Sequence, residues 1–289
     1  MNPLHTPVLV KELLSLFSKE ITPQRILDCT FGRGGHSLAF LKKYPKVSIL
    51  ALDRDLEAVQ FAKSLQKEKK LCLKILHENF VSFPFKRLEL FDLILMDLGV
   101  SSPQLEDEKR GFSFNKQGPL DMRMDQREKI KASDIINGLS KKELINLFQI
   151  YGEIKSPYPI VNEILLQRKK RRIQTTKDLV SIIQKHSSYQ FHKHPATKWF
   201  LALRLFVNQE LEGLKKCLPS YLALLKPKGF LSILSFHSLE DRIVKQNFRQ
   251  FVKSNQGTLV NKKVIRPQIE EIKSNPRSRS AKLRVFQKN

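Results

Sequence analysis

The chain has 289 residues, 41% of them hydrophobic and 9% aromatic, which is enough apolar material for a buried core and too much for a disordered segment. Its 52 Lys and Arg against 28 Asp and Glu give a net charge of +24 and a pI near 10, a balance that points to a polyanionic partner. The longest apolar runs fall far short of the ~18 residues needed to cross a bilayer, which argues against a membrane and favours nucleic acid.

At the start, "MNPLHTPVLVKELL" lacks the basic and then apolar regions of a secretion signal. The run "RILDC" (25–29) predicts a first strand, and after the glycines of "TFGRGG" the stretch "HSLAFLKKY" (36–44) has apolar residues at helical spacing. "SILALD" (48–53), "LCLKILH" (71–77) and "FDLILMD" (91–97) predict three more strands, with a helix over "LEAVQFAKSLQK" between the first two of these. Their hydrophobicity is continuous rather than alternating, so both faces of the sheet are expected to be covered by helices. The expected fold class is α/β, a doubly wound, Rossmann-like parallel sheet.

After Asp97 that pattern breaks. The next comparable strand is "FLSILSF" (230–236), announced by a turn at "LLKPKGF", and the interval reads as helices. Helical stretches are "ASDIINGLSKKELINLFQIYG", "IVNEILLQRKKRR", "TKDLVSIIQKHS" and "ATKWFLALRLFVNQELEGLKKCL". In the last, Phe200, Leu203, Val207, Leu211 and Leu214 fall near one face of a single helix. A structureless loop of this length is implausible in a compact domain. The expectation is an all-helical domain at 105–213 inserted into a discontinuous domain of residues 1–104 and 214–289. An amphipathic helix (238–254) and a late strand, "AKLRVFQ", complete the second segment. Three scattered cysteines, Cys29, Cys72 and Cys217, suit neither a disulfide framework nor a zinc site. They read as buried free thiols in a reducing, cytoplasmic compartment. The seven histidines show no metal-ligand spacing, so no metal is expected.

Two ligands compete for the glycine loop. Gly32 and Gly34 fit the dinucleotide pattern G-x-G-x-x-G, but Ser37 takes the third position and Gly35 is extra. Asp28, Asp53 and Asp97 each close a strand, and in a parallel sheet such ends line one crevice. A carboxylate beside the first turn suits two phosphates poorly. S-adenosylmethionine carries a sulfonium and an ammonium and no phosphate, so an acidic crevice favours it over a nicotinamide cofactor.

Longer motifs follow: "DLGVSSPQLEDEKRGFSFNKQGPLDMRMD" (97–125), "HPATKWFLALRLFVNQELE" (194–212), "SFHSLEDRIVK" (235–245) and "NPRSRSAKLR" (275–284). With "HTPVLVKELL" and "TFGRGGHS", the chain resembles the bacterial small-subunit ribosomal RNA cytosine-N4 methyltransferases, the RsmH (MraW) family, over nearly its whole length. The resemblance implies a methyltransferase that uses S-adenosylmethionine and acts on the exocyclic N4 of a decoding-site cytosine in 16S rRNA of the small ribosomal subunit. It places the cofactor on Gly34, Gly35, His36, Asp53, Phe80, Asp97 and Gln104. The chain departs from the family pattern at Cys29, Lys198 and Leu201 and over "EIKSPYPIVNEI" (153–164).

For the chemistry, Asp97 is the expected acceptor for the reacting amine, with Ser101 in the following loop and His237 past a strand end as further catalytic candidates. His237 reads equally as a structural, hydrogen-bonded histidine, and His194 as a residue near a helix cap. Phe112 and Phe114 could stack on a flipped base or belong to the core. "RKKRR" (Arg168, Lys169, Lys170, Arg171, Arg172) and Arg277, Arg279 and Arg284 are the expected RNA contacts, unless the first run only answers a helix dipole. Alternatives are a methyltransferase of another nucleic acid, a nicotinamide oxidoreductase, and a non-catalytic RNA-binding or ribosome assembly factor with a retained cofactor pocket.

Overall fold

The computed structural model describes residues 7–17, 22–86, 89–187 and 194–289. It divides into two compact units, residues 1–99 with 211–289 and residues 100–210. The first unit opens with α1 (Val10–Leu14), β1 (Arg25–Asp28), α2 (Gly35–Lys43), β2 (Ser48–Asp53), α3 (Leu56–Lys69), β3 (Leu73–His77) and β4 (Phe91–Asp97). The chain then builds the second unit from α4 (Ser102–Glu106), α5 (Ala132–Gly138), α6 (Lys141–Gly152), α7 (Tyr158–Lys170), α8 (Thr176–Lys185) and α9 (Thr197–Val207). It returns through α10 (Glu210–Ala223), β5 (Leu225–Ser235), α11 (Ser238–Lys253), β6 (Gly257–Leu259), α12 (Ile269–Ser274) and β7 (Lys282–Lys288).

Neighbouring residues of the strands serve opposite faces of the sheet, which is why the strand sequences are continuously apolar. Ile26, Leu93 and Leu95 pack with Leu13, Phe40 and Val59 of α1–α3. Their neighbours Leu27, Ile94 and Met96 pack with Leu218, Tyr221, Val244 and Phe248 of α10 and α11. The sheet order is β3-β2-β1-β4-β5-β7-β6. β1 to β5 are parallel, and β7 runs antiparallel to both β5 and β6. The first five strands have the doubly wound order, so the carboxyl ends of β1, β2 and β4 open on one edge.

Three expectations change here. The expected turn at "LLKPKGF" lies inside β5, where Lys228 takes φ 61 and the pairing with β4 shifts register. β6, only three residues long, left no periodicity to read. Cys72 is exposed, whereas Cys29 and Cys217 are buried.

In the second unit, Leu144, Phe148, Val161, Ile164, Leu179, Ile183, Trp199 and Leu203 form a separate apolar core. The stretch 132–152 is two helices, because Ser140 and Glu143 form a capping box that starts α6. The single helix expected over 196–218 is also two. Gln209 takes φ 49, and Asn208 turns its amide onto the Met124 N–H (2.8 Å) and the Met122 carbonyl (2.8 Å). Its expected apolar face is divided accordingly: Phe200 and Leu203 belong to the core of the second unit and Leu214 to that of the first.

Candidate active site

Past Asp28 the chain continues the ladder before it turns. The Cys29 N–H donates to the Leu95 carbonyl (2.9 Å), the Phe31 N–H to the Leu52 carbonyl (3.0 Å), and the Asp97 N–H to Thr30 Oγ1 (2.7 Å). The loop is thereby fixed over the ends of β2 and β4. Gly32 and Gly34 follow at φ 54 and 72, the region that glycine enters without penalty. A Cβ on Gly34 would stand 2.5 Å from the Phe31 ring, so the turn has no room for a side chain. Arg33 places its guanidinium over the Phe61 ring, 4.7 Å from the centroid.

The three strand-end acids have different tasks. Asp28 is buried, with Oδ1 accepting the Thr30 N–H (3.1 Å) and Oδ2 the Ser37 hydroxyl (2.6 Å). Burial raises its pKa, and both oxygens lock the loop onto α2 instead of facing a ligand. Asp53 and Asp97, by contrast, are only partly buried. Asp53 takes the Gly32 N–H on Oδ2 and the Asp55 N–H on Oδ1, each at 2.8 Å, and burial lifts it to about 6. Asp97 is different. Its Oδ2 lies 3.5 Å from His36 Nδ1, while its buried Oδ1 accepts no hydrogen bond among the described residues. Burial lifts Asp97 to about 6; the neighbouring His36 opposes the rise, and Asp28 and Glu240 add to it.

Other expected site residues fall as follows. Gly35 begins α2 with Pro7 packed against it. His36 is buried, and its Nε2 meets the Val8 carbonyl at 2.9 Å. Phe80 is buried after β3, and its carbonyl accepts the Tyr221 hydroxyl at 2.6 Å. His237 is the N-cap of α11. Its Nδ1 faces the Glu240 N–H and its Nε2 lies 3.1 Å from Glu240 Oε1, so its visible role is to seat that helix. In the second unit, Gln104 is buried and its Oε1 accepts the Ser101 N–H (3.0 Å), which closes the start of α4. Phe112 is buried; Phe114 is half-buried and stacks on His194 with centroids 4.5 Å apart.

The cations divide too. Arg168 donates to the Ile136 and Leu139 carbonyls at 3.0 and 2.7 Å, Arg171 to Asp178 at 2.9 Å, and Arg172 lies 3.5 Å from Asp134. Arg284 is held by Asp241 at 2.7 Å. Lys169, Lys170, Arg277 and Arg279 are exposed. Sequence reasoning missed Thr30 and Tyr221; it noted Ser37 only as the residue in the third glycine position, and Glu240 only as an acid in the first turn of its helix, where the structure has it. Among the described residues no group of His, Cys, Asp and Glu is arranged to hold a metal, and no helix is long and apolar enough to cross a membrane.

A family model described as the MraW methylase family matches residues 2–289. The chain belongs to this family. It is similar to a protein of Bdellovibrio bacteriovorus (46% identity, 100% of this chain and 89% of the relative) named ribosomal RNA small subunit methyltransferase H. Relatives of the same name in Chlamydia caviae (44%; 99% and 98%) and Ureaplasma urealyticum (41%; 99% and 98%) also match. Membership makes the chain a methyltransferase with S-adenosylmethionine as its cofactor and removes the nicotinamide reading. The residues of the methylase fit that group. A buried carboxylate oxygen on Asp97 that accepts no hydrogen bond among the described residues suits a cationic, proton-donating ligand.

Proposed function

We propose that this chain transfers a methyl group to the exocyclic N4 of a decoding-site cytosine in small-subunit rRNA, in the cytoplasm. The names of its relatives support the substrate, and the charge of +24 suits a polyanion. The observation that carries the chemistry is Asp97 Oδ1 at the carboxyl end of β4, which accepts no hydrogen bond among the described residues.

The N4 lone pair is delocalised into the cytosine ring, so the amine is a weak nucleophile. S-adenosylmethionine supplies an activated methyl on a sulfonium, and alignment of nitrogen, methyl carbon and sulfur then becomes the main task of the protein. Asp97 Oδ1 accepts a hydrogen bond from the amine and localises its lone pair; as the N–C bond forms and the S–C bond breaks to leave a neutral thioether, the carboxylate stabilises the cationic nitrogen and takes up the proton it sheds. Gly34, Gly35, Asp53 and Phe80 are the proposed cofactor contacts of the first unit; Ser101 caps α4, the helix that holds Gln104. The helical unit, with Lys169 and Lys170, is the proposed RNA contact.

Mass mapping of modified cytosines in rRNA, from cells with and without this protein, tests the reading. One N4-methylated cytosine of the small subunit is expected to disappear with the protein. Asp97→Ala is expected to retain RNA binding and lose methyl transfer, and normal single-turnover rates in that variant would remove Asp97 from the chemistry.

A further inference from the structure

His36 stands in the glycine loop, where a direct contact with the cofactor was expected, yet both ring nitrogens already face protein groups. Nε2 lies 2.9 Å from the Val8 carbonyl, an acceptor only, so Nε2 carries the hydrogen of that bond. The other ring nitrogen, Nδ1, faces Asp97 Oδ2 at 3.5 Å. The ring is buried, and its residue lies in the first turn of α2. In this pair Asp97 Oδ1 is buried and, among the described residues, accepts no hydrogen bond.

We propose that His36 is a positioning residue that holds Asp97 through Oδ2 as a carboxylate, leaves Oδ1 for the reactants, and ties this charge to the N-terminal segment through the Val8 carbonyl. The inference rests on the reading of the chain as an S-adenosylmethionine-dependent methylase and assigns His36 a task in it that is distinct from touching the cofactor.

The electrostatics give the direction. Acids converge on Asp97 from two other elements, Asp28 at the end of β1 and Glu240 on α11, and each disfavours its ionisation. Glu240 in turn has His237 beside it at 3.1 Å. Of the groups acting on Asp97, His36 favours the carboxylate. His36 Nδ1 is the only one of its ring nitrogens that approaches Asp97, at 3.5 Å from Oδ2. The Val8 contact prevents the ring from flipping to expose Nδ1. The same segment is fixed a second time, since the Leu9 N–H donates to Glu271 Oε1 at 2.8 Å, and Pro7 rests on Gly35. His36 thus links the N-terminal segment, through Val8, to the carboxylate at the end of β4.

Two substitutions separate the two arms. His36→Gln retains a donor for the Val8 carbonyl and loses the Asp97 contact. His36→Asn retains an amide at the Nδ1 position and loses Val8. Calorimetric titration of the full chain with S-adenosylmethionine and with S-adenosylhomocysteine, over a range of pH, reads the result. The second ligand lacks the sulfonium charge, so the ratio of the two affinities reports the charge on Asp97. In the wild type this ratio is expected to fall on acidification through about pH 6, where Asp97 takes up its proton. In His36→Gln the fall is expected at higher pH, with S-adenosylmethionine bound about tenfold more weakly at neutral pH. His36→Asn is expected to recover part of that loss. Melting temperatures of both variants separate this from general destabilisation, which would weaken both ligands alike. A His36→Gln ratio profile superimposable on the wild type would overturn the inference and leave the methylase reading intact. Wild-type protein that binds neither ligand would overturn both.

Discussion

Gly34 combines two constraints that usually occur apart. Its φ of 72 costs a side-chain-bearing residue about 1 kcal/mol, and its Cβ position is occupied by the Phe31 ring. Gly34→Ala is therefore expected to lower the melting temperature by several degrees and to weaken S-adenosylmethionine binding more than tenfold, measured by thermal unfolding and calorimetric titration. An Ala variant with wild-type affinity would mean that the turn is a connector only. Asp28 beside it was readable as an acid at a strand end, but its role was not. A carboxylate there can face a ligand or satisfy local donors, and the Thr30 N–H and Ser37 hydroxyl decide for the second. In Asp97 the balance is reversed, because the Thr30 hydroxyl serves its backbone N–H rather than its carboxylate.

At the end of α7, five consecutive cations look alike in sequence and are unlike in space. Arg168 closes the C-terminal end of α5 by donating to its last carbonyls, while Lys169 and Lys170 project into solvent. Arg168→Ala is expected to destabilise the protein by about 1–2 kcal/mol, from two lost bonds between a charged donor and backbone carbonyls. It should leave the salt dependence of RNA binding unaltered. Replacing Lys169 and Lys170 together with Ala is expected to do the opposite: no change in melting, and a slope of log affinity on log salt shallower by about 1.4 if each neutralises one phosphate of a single strand. Equal slopes in filter-binding measurements would return the pair to a solvated surface. Periodicity served the elements unevenly. Strands buried on two faces were recognisable from their continuous apolar runs, whereas the break between α9 and α10 was not. Asn208 and Gln209 interrupt no apolar period, and the turn is stabilised by partners, Met122 and Met124, more than eighty residues away in the chain.

Acid acts on the molecule in two windows with opposite signs. Asp97 and Asp53 sit at about 6 when folded, above the usual carboxylate value of 3.8. The folded state therefore binds protons more readily than the unfolded one, and the contribution of these groups to stability falls as pH rises through that window. Without ligand, Asp97→Asn is expected to melt at a higher temperature than the wild type near neutral pH, with the difference vanishing below about pH 4, while donor affinity is lost. A lower melting temperature at neutral pH would show that the buried charge is compensated. Glu163 behaves oppositely. Gln167 at 2.9 Å, Lys185 at 3.0 Å and His186 hold it down to about 2. Its contribution is complete above the ordinary Glu value of 4.5 and is lost as pH falls towards 2. Glu163→Gln should thus lower the melting temperature at neutral pH and leave it unchanged near pH 2, as measured by scanning calorimetry. A destabilised reaction site within a stabilised frame is the usual compromise of an enzyme.

Chain order alone was enough to predict a doubly wound sheet with a helical interruption, because burial on two faces and helical amphipathicity each leave a period in the sequence. The acid-lined glycine turn was legible for a similar local reason: loop glycines and strand-end acids are adjacent in the chain. Which acid stays available was decided only by three-dimensional packing. Thr30, Tyr221, Glu240 and the α2 pair His36 and Ser37 come from four separate parts of the chain, and a hydrogen bond between elements leaves no period. The same holds for the cations, since Arg168 and Lys169 differ only in what the fold places beside them.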